Sequence, residues 1–190
     1  MEMLEIEEIL LDQETIERKV AELAGRIEQD YEGKDLVLVC ILKGAITFTA
    51  DLMRRIPFSV TLDFVQASSY GMGMATSREI RIKKDIETDI KGRHVLLVDC
   101  IIDSGETMDC LLKRYGERNP ASLKAVVLVD KRSRRTVDVP LAYRGFEIPD
   151  KFVVGYGVDC AEQYRNLPYI AALRHAAGGS PPAGVGDSLS

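Results

Sequence analysis

The sequence predicts an α/β fold: a mostly parallel central sheet flanked by helices. Three observations carry this. Short apolar, β-branched runs recur at Leu36–Leu42, Val95–Val98 and Leu123–Val129, as suits strands buried on both faces. Residues at helical spacing separate them, so strands and helices alternate from Leu36 to Val129 and the strands run parallel. Each run ends in polar residues, at Lys43-Gly44, Asp99 to Thr107 and Asp130-Lys131, which such a sheet collects along one edge.

Taken in order, Asp12 can cap a first helix, with Glu14 and Glu17 early in it. Ile16, Val20, Leu23, Ile27 and Tyr31 form its apolar face, and Gly33 ends the segment. After the Leu36–Leu42 strand, Lys43-Gly44 turns into a second helix from about Ala45 to Arg55. Its inward face is Ala45, Phe48, Leu52 and Ile56, and Pro57 stops it. Phe58 to Val65 reads as a strand and Gln66 to Ser77 as a loop with Gly71 and Gly73 as hinges. Arg78 to Lys84 alternates apolar and charged, as a half-exposed strand does. Short strands at about 141–144 and 152–154 complete or flank the sheet, Gly155 to Asp159 is a turn, and Arg165 to Ile170 closes the ordered part. One domain is expected over 1–175, with a disordered tail of Gly, Ser, Pro and Ala over 176–190.

The chain is organised around His94 to Met108. Val95–Val98 is the strand, Asp99 and Asp103 stand where it should end, and Ser104-Gly105-Glu106-Thr107 turns into a helix facing inward with Met108, Leu111, Leu112 and Tyr115. Amides at a helix start suit a phosphate. Carboxylates beside them suit a metal, a sugar hydroxyl or a proton.

A net charge of -5 argues against a dedicated nucleic-acid binder. No apolar run approaches the ~20 residues of a membrane span. The acidic start lacks the basic region of a signal peptide, and Cys40, Cys100, Cys110 and Cys160 lack zinc-ligand spacing, so reduced thiols in a cytoplasmic protein are expected.

The stretch Val95-Leu-Leu-Val-Asp-Cys-Ile-Ile-Asp-Ser-Gly-Glu-Thr107 resembles the phosphoribosyl-pyrophosphate (PRPP) motif of type I phosphoribosyltransferases. Leu42-Lys43-Gly44, Ala67 to Gly71, Asp130 to Arg135 and Gly145 to Asp159, in that order, narrow the resemblance to bacterial hypoxanthine-guanine phosphoribosyltransferases, over about Leu10 to Ile170. The resemblance implies the type I phosphoribosyltransferase fold, with a small hood formed by the terminal segments. It also implies the reaction of a 6-oxopurine with PRPP to a nucleoside 5'-monophosphate and pyrophosphate, with Mg²⁺, in a homodimer or homotetramer.

It further implies roles for residues. The 5'-phosphate sits on the amides of Asp103, Ser104, Gly105, Glu106 and Thr107, and Asp103 takes the purine N7 proton. Asp99 holds the ribose hydroxyls or hydrated Mg²⁺, and Asp159 holds a second Mg²⁺ beside the purine. Lys43-Gly44, where the family's peptide can be cis, and Arg165 bind pyrophosphate. Lys131 donates to the purine O6, Phe152 stacks on the base, Val153 reads its edge through the backbone and Ile101 covers the other side. Ser69 and Tyr70 belong to a mobile loop that closes over the reaction. Without the resemblance, Asp103 serves equally as a helix-dipole partner, Asp99 as a solvated strand end, and Lys131 to Arg135 as a solvated basic loop.

The chain departs from the family at Cys100, where a second acid usually precedes Ile-Ile-Asp. A thiol is no substitute for a carboxylate toward Mg²⁺. Weakened but surviving activity is therefore expected, with Cys100→Asp improving PRPP binding. The competing reading is a phosphoribosyltransferase-fold RNA-binding regulator with little activity, supported by Arg132, Arg134 and Arg135. A His-based hydrolase has little room, because His94 and His175 flank a strand and the tail.

Overall fold

The computed structural model describes residues 4–70 and 79–175. The expected tail from 176 onward and residues 71–77 of the expected loop lie outside the described residues. The elements are β1 (Leu4–Leu11), α1 (Gln13–Tyr31), β2 (Leu36–Leu42), α2 (Ile46–Met53), β3 (Thr61–Tyr70), β4 (Glu79–Lys84), β5 (His94–Ile102), α3 (Glu106–Gly116), β6 (Ser122–Asp130), a 3-10 turn (Arg132–Arg134), β7 (Tyr143–Glu147), β8 (Val153–Val154) and β9 (Ile170–His175).

The central sheet has six strands in the order β4-β3-β2-β5-β6-β7. Only the β3–β4 pair is antiparallel. β2, β5 and β6 are therefore parallel neighbours, and their carboxyl ends share one edge as expected. β2 is buried nearly throughout, and β5 from Val95 onward. α1 and α2 pack Ile16, Val20, Leu23, Ile27, Phe48 and Leu52 on one face of the sheet. On the other face α3 contributes Met108, Leu111 and Tyr115. Asp12 caps α1, its carboxylate accepting from the Thr15 amide at 2.7 Å.

A second, antiparallel sheet, β1-β9-β8, joins the two ends of the chain into the hood. The expected 152–154 strand belongs here, whereas the one expected at 141–144 is β7 and extends the central sheet.

Two boundaries are corrected. The strand expected over Phe58 to Val65 begins at Thr61 and continues to Tyr70, because pairing with β4 runs from Gln66↔Lys84 to Tyr70↔Glu79. Ser69 and Tyr70, expected in a loop, have strand backbone; their side chains lie outside the described residues. β5 does not end at Asp99: pairing with β6 continues through Asp99↔Val127 to Ile102↔Asp130. Asp99 is accordingly a buried strand residue rather than a solvated strand end.

Candidate active site

The carboxyl ends of β5 and β6 bring three ionisable groups together. Asp99 is only 8% exposed and accepts a 2.7 Å hydrogen bond from the Cys100 amide. Burial pushes its carboxyl up to about 8, against the amides of Cys100 and Ile101 and with the help of the Asp103 charge. Asp103, just past β5, has one carboxylate oxygen 3.6 Å from Lys131 Nζ. That oxygen is buried and receives no hydrogen bond among the described residues. Lys131 is 2% exposed, and burial pulls its ammonium below the usual lysine range while Asp103 pulls it back. A neighbouring acceptor and donor, each largely removed from water, can take a proton from one atom of a base and give a hydrogen bond to another.

The turn between β5 and α3 is held from behind. Ser104 O accepts from the amides of Thr136 and Val137 at 3.0 and 3.1 Å. Gly105, at φ 89°, has no room for a side chain: a Cβ would lie 2.7 Å from Val137 O and 2.8 Å from Arg135 Cδ. Arg135 Nε donates to Asp103 O at 3.1 Å, and the same guanidinium pairs with buried Asp130. Gly105, at the start of α3, has no side chain to cap the helix, and the Glu106 amide donates to Ser104 Oγ at 3.4 Å.

The end of β2 meets the hood. The Leu42–Lys43 peptide is cis. Gly157, at φ 100°, approaches so closely that a Cβ would lie 2.2 Å from Gly44 O. Lys43 Nζ pairs with Glu162 at 3.0 Å. Arg165 donates to Gly157 O at 2.8 Å and pairs with Asp159 at 2.8 Å and Glu162 at 3.3 Å. The other Asp159 oxygen accepts from the Glu162 amide at 2.8 Å. Arg165 and Asp159, expected on pyrophosphate and metal, thus hold each other and the turn.

Residues 7–161 match the phosphoribosyl transferase domain family. The chain is 47% identical over 168 residues to a hypoxanthine phosphoribosyltransferase of Salmonella typhimurium, covering 87% of this chain and 94% of the relative. It belongs to the hypoxanthine phosphoribosyltransferase family. A hypoxanthine-guanine phosphoribosyltransferase of Bacillus subtilis is 43% identical, covering 90% of this chain and 96% of the relative. The crystal structure of such an enzyme from Bacillus anthracis superposes with a TM-score of 0.85 at 45% identity, covering 90% of this chain and all of that one.

Within the hypoxanthine phosphoribosyltransferase fold, the expected residues divide unevenly. Asp99, Asp103, Ser104, Gly105, Glu106, Thr107 and Lys131 gather on the β5 and β6 ends, and Lys43, Gly44, Asp159 and Arg165 on the β2 end and hood. Ile101 is buried in the core on the α1 and α2 face. Val153 is buried in the hood, paired with Ala172. Phe152 is half-buried against Val154, Cys160 and Leu173, and its carbonyl accepts from the Leu173 amide at 2.9 Å. Cys100 is fully buried with its thiol 3.5 Å from Tyr156 O, so it faces the core below the site. Glu162, Gly157, Asp130 and Arg135 join the site unannounced. Asp130 and Arg135 bound the basic loop in sequence, but nothing there shows that they bond to each other.

Proposed function

We propose that the protein is a purine salvage enzyme that converts hypoxanthine or guanine and PRPP to IMP or GMP and pyrophosphate. The Asp103–Lys131 pair carries this reading. A 6-oxopurine presents a proton at N7 and an acceptor at O6 on one edge, which matches an unbonded carboxylate oxygen beside an ammonium. Adenine presents an amine where Lys131 needs an acceptor, so a buried donor would be left unpaired against it.

In this reading purine N9 attacks C1' of PRPP as pyrophosphate leaves. Asp103 accepts the N7 proton, which keeps positive charge from building on the base. The α3 amides and the turn from Ser104 to Thr107 hold the 5'-phosphate. The amides at Lys43-Gly44 receive pyrophosphate. Ile101, Phe152 and Val153 border the base, and Ser69 and Tyr70 belong to a segment that excludes water from the sugar.

The donor set also fits Mg²⁺. The described residues hold no cluster of metal-ligating side chains, and Mg²⁺ commonly uses one or two carboxylates, substrate phosphates and water. Asp99 would supply one carboxylate, and Asp159 a second after yielding a partner. When bound, the ion would neutralise charge developing on the pyrophosphate. We place the protein in the cytoplasm, which suits its four free thiols, as a homodimer or homotetramer. The RNA-regulator alternative loses part of its basic patch: Arg135 is taken up by Asp130 and Arg134 lies 3.6 Å from Asp150, which leaves Arg132.

The test is turnover with PRPP, Mg²⁺ and hypoxanthine, guanine, xanthine or adenine in turn, with Asp103→Asn as control. Turnover of the 6-oxopurines alone is expected. Equal turnover of adenine refutes the assignment.

A further inference from the structure

We propose that Arg135 and Asp130 form a positioning brace that sets the affinity of the site for the 5'-phosphate without touching it. The inference rests on the reading of Ser104 to Thr107 as the phosphate turn. Arg135 lies behind that turn, bonded through Nε to the carbonyl of Asp103 at 3.1 Å. Its terminal nitrogen pairs with Asp130, the last residue of β6. Both partners are withdrawn from water, with side-chain exposures of 12% and 3%. Arg144 engages the second Asp130 oxygen at 3.3 Å, so both oxygens of that carboxylate are fixed. The Arg135 stem is one of three walls against Gly105, beside Val137 O and Val139 Cγ2.

The brace therefore links three things. It orients the peptide between Asp103 and Ser104 through its carbonyl, limits the space behind Gly105, and ties both to the rigid end of β6. A helix-start anion site depends on amide direction, since each N–H must point at one ligand oxygen. Releasing the Asp103 carbonyl lets that peptide rotate, and the cost falls on the ligand's phosphate. A fork that donates from two nitrogens at once is a property of arginine and not of lysine.

The test compares affinities of wild type, Arg135→Ala, Arg135→Lys and Asp130→Asn for IMP and for inosine, by calorimetry, with thermal melts showing that each variant is folded. Arg135→Ala is expected to weaken IMP about tenfold and inosine less than twofold. Arg135→Lys and Asp130→Asn are expected to fall between it and wild type. Equal losses for IMP and inosine, as from a general loss of packing, overturn the brace, as does unchanged IMP affinity. If wild type itself binds IMP no better than inosine, the phosphate turn is misassigned and the brace falls with it. Wild type that distinguishes the two ligands but catalyses no transfer refutes the proposed reaction and leaves the affinity ratios to decide on the brace.

Discussion

Lys131 Nζ stands 3.6 Å from Asp103 Oδ1, each just past the end of one of two adjacent parallel strands. Because the sheet fixes both ends, the spacing between acceptor and donor is set by the register of β5 and β6. Asp103→Asn keeps the shape and hydrogen-bonding size of the side chain but cannot take a proton. Its kcat for IMP formation is expected to fall about 10²- to 10⁴-fold, with the PRPP KM changed far less. A steady-state comparison checks this; a variant retaining most of its kcat shows that the base lies elsewhere.

In the proposed reaction Lys131 would serve discrimination more than chemistry. Lys131→Gln retains a donor but loses the charge and one carbon of reach. The expected result is a drop of about 10²-fold in kcat/KM for hypoxanthine. Turnover of adenine should rise relative to hypoxanthine. Competition between the two bases in one reaction mixture measures the ratio directly, and an unchanged ratio assigns O6 recognition to another group.

Gly105 is the point where the turn has no slack. Its φ of 89° and a Cβ position 2.7 Å from Val137 O both exclude a side chain. Gly105→Ala is expected to cost about 1–3 kcal/mol of stability and to raise the PRPP KM, since the strain is relieved only by moving the turn. Thermal melting with and without PRPP separates the two effects. A variant with wild-type melting and KM would mean that residues 135–137 yield freely.

The central strands are the most legible part of this molecule. Burial on both faces writes an apolar run that a loop does not imitate, and the Leu36–Leu42 run coincides with β2. The hood strand Leu4–Leu11 is hard to read because most of it is exposed and its acids follow no strict alternation. The far end of β3 is Ala-Ser-Ser-Tyr, small and polar, and becomes strand only by pairing with β4. The site divides in the same way. Asp99, Asp103, Lys131 and Lys43 belong to contiguous motifs. Glu162 acquires its role from Lys43, 119 residues away in sequence, and no local pattern records such a pair.

Asp85 provides a pH prediction independent of the site. Burial alone would raise its carboxyl, but hydrogen bonds from Arg114, Tyr115, the Ile86 amide and Arg118 outweigh it and hold it at about 2. A folded pKa below the unfolded value stabilises the native state above about pH 4, and this is lost as the pH falls toward 2. The contribution is about 2 kcal/mol. The gap in unfolding free energy between wild type and Asp85→Asn should therefore be widest near pH 6 and narrow below pH 4. Denaturant titrations at several pH values measure it; a gap that stays constant down to pH 3 removes the carboxylate's charge as the cause.

Cys100→Asp decides between the expectation from sequence and the packing. The missing second acid suggests that a carboxylate there would improve PRPP binding. The thiol, however, has no exposed surface, faces the Tyr156 carbonyl at 3.5 Å, and lies in the core with Val98 and Val158. Its neighbour Asp99 already shows what burial does to a carboxyl at this level of the sheet. An aspartate would have to hold its proton and donate to Tyr156 O, or carry an unpaired charge out of water. The expected outcome is a loss of about 1–3 kcal/mol in stability, with PRPP affinity unimproved. Thermal melting and the PRPP KM, measured on the same preparation, check both halves. Tighter PRPP binding at unchanged stability would mean that the side chain at this position turns upward to the sugar.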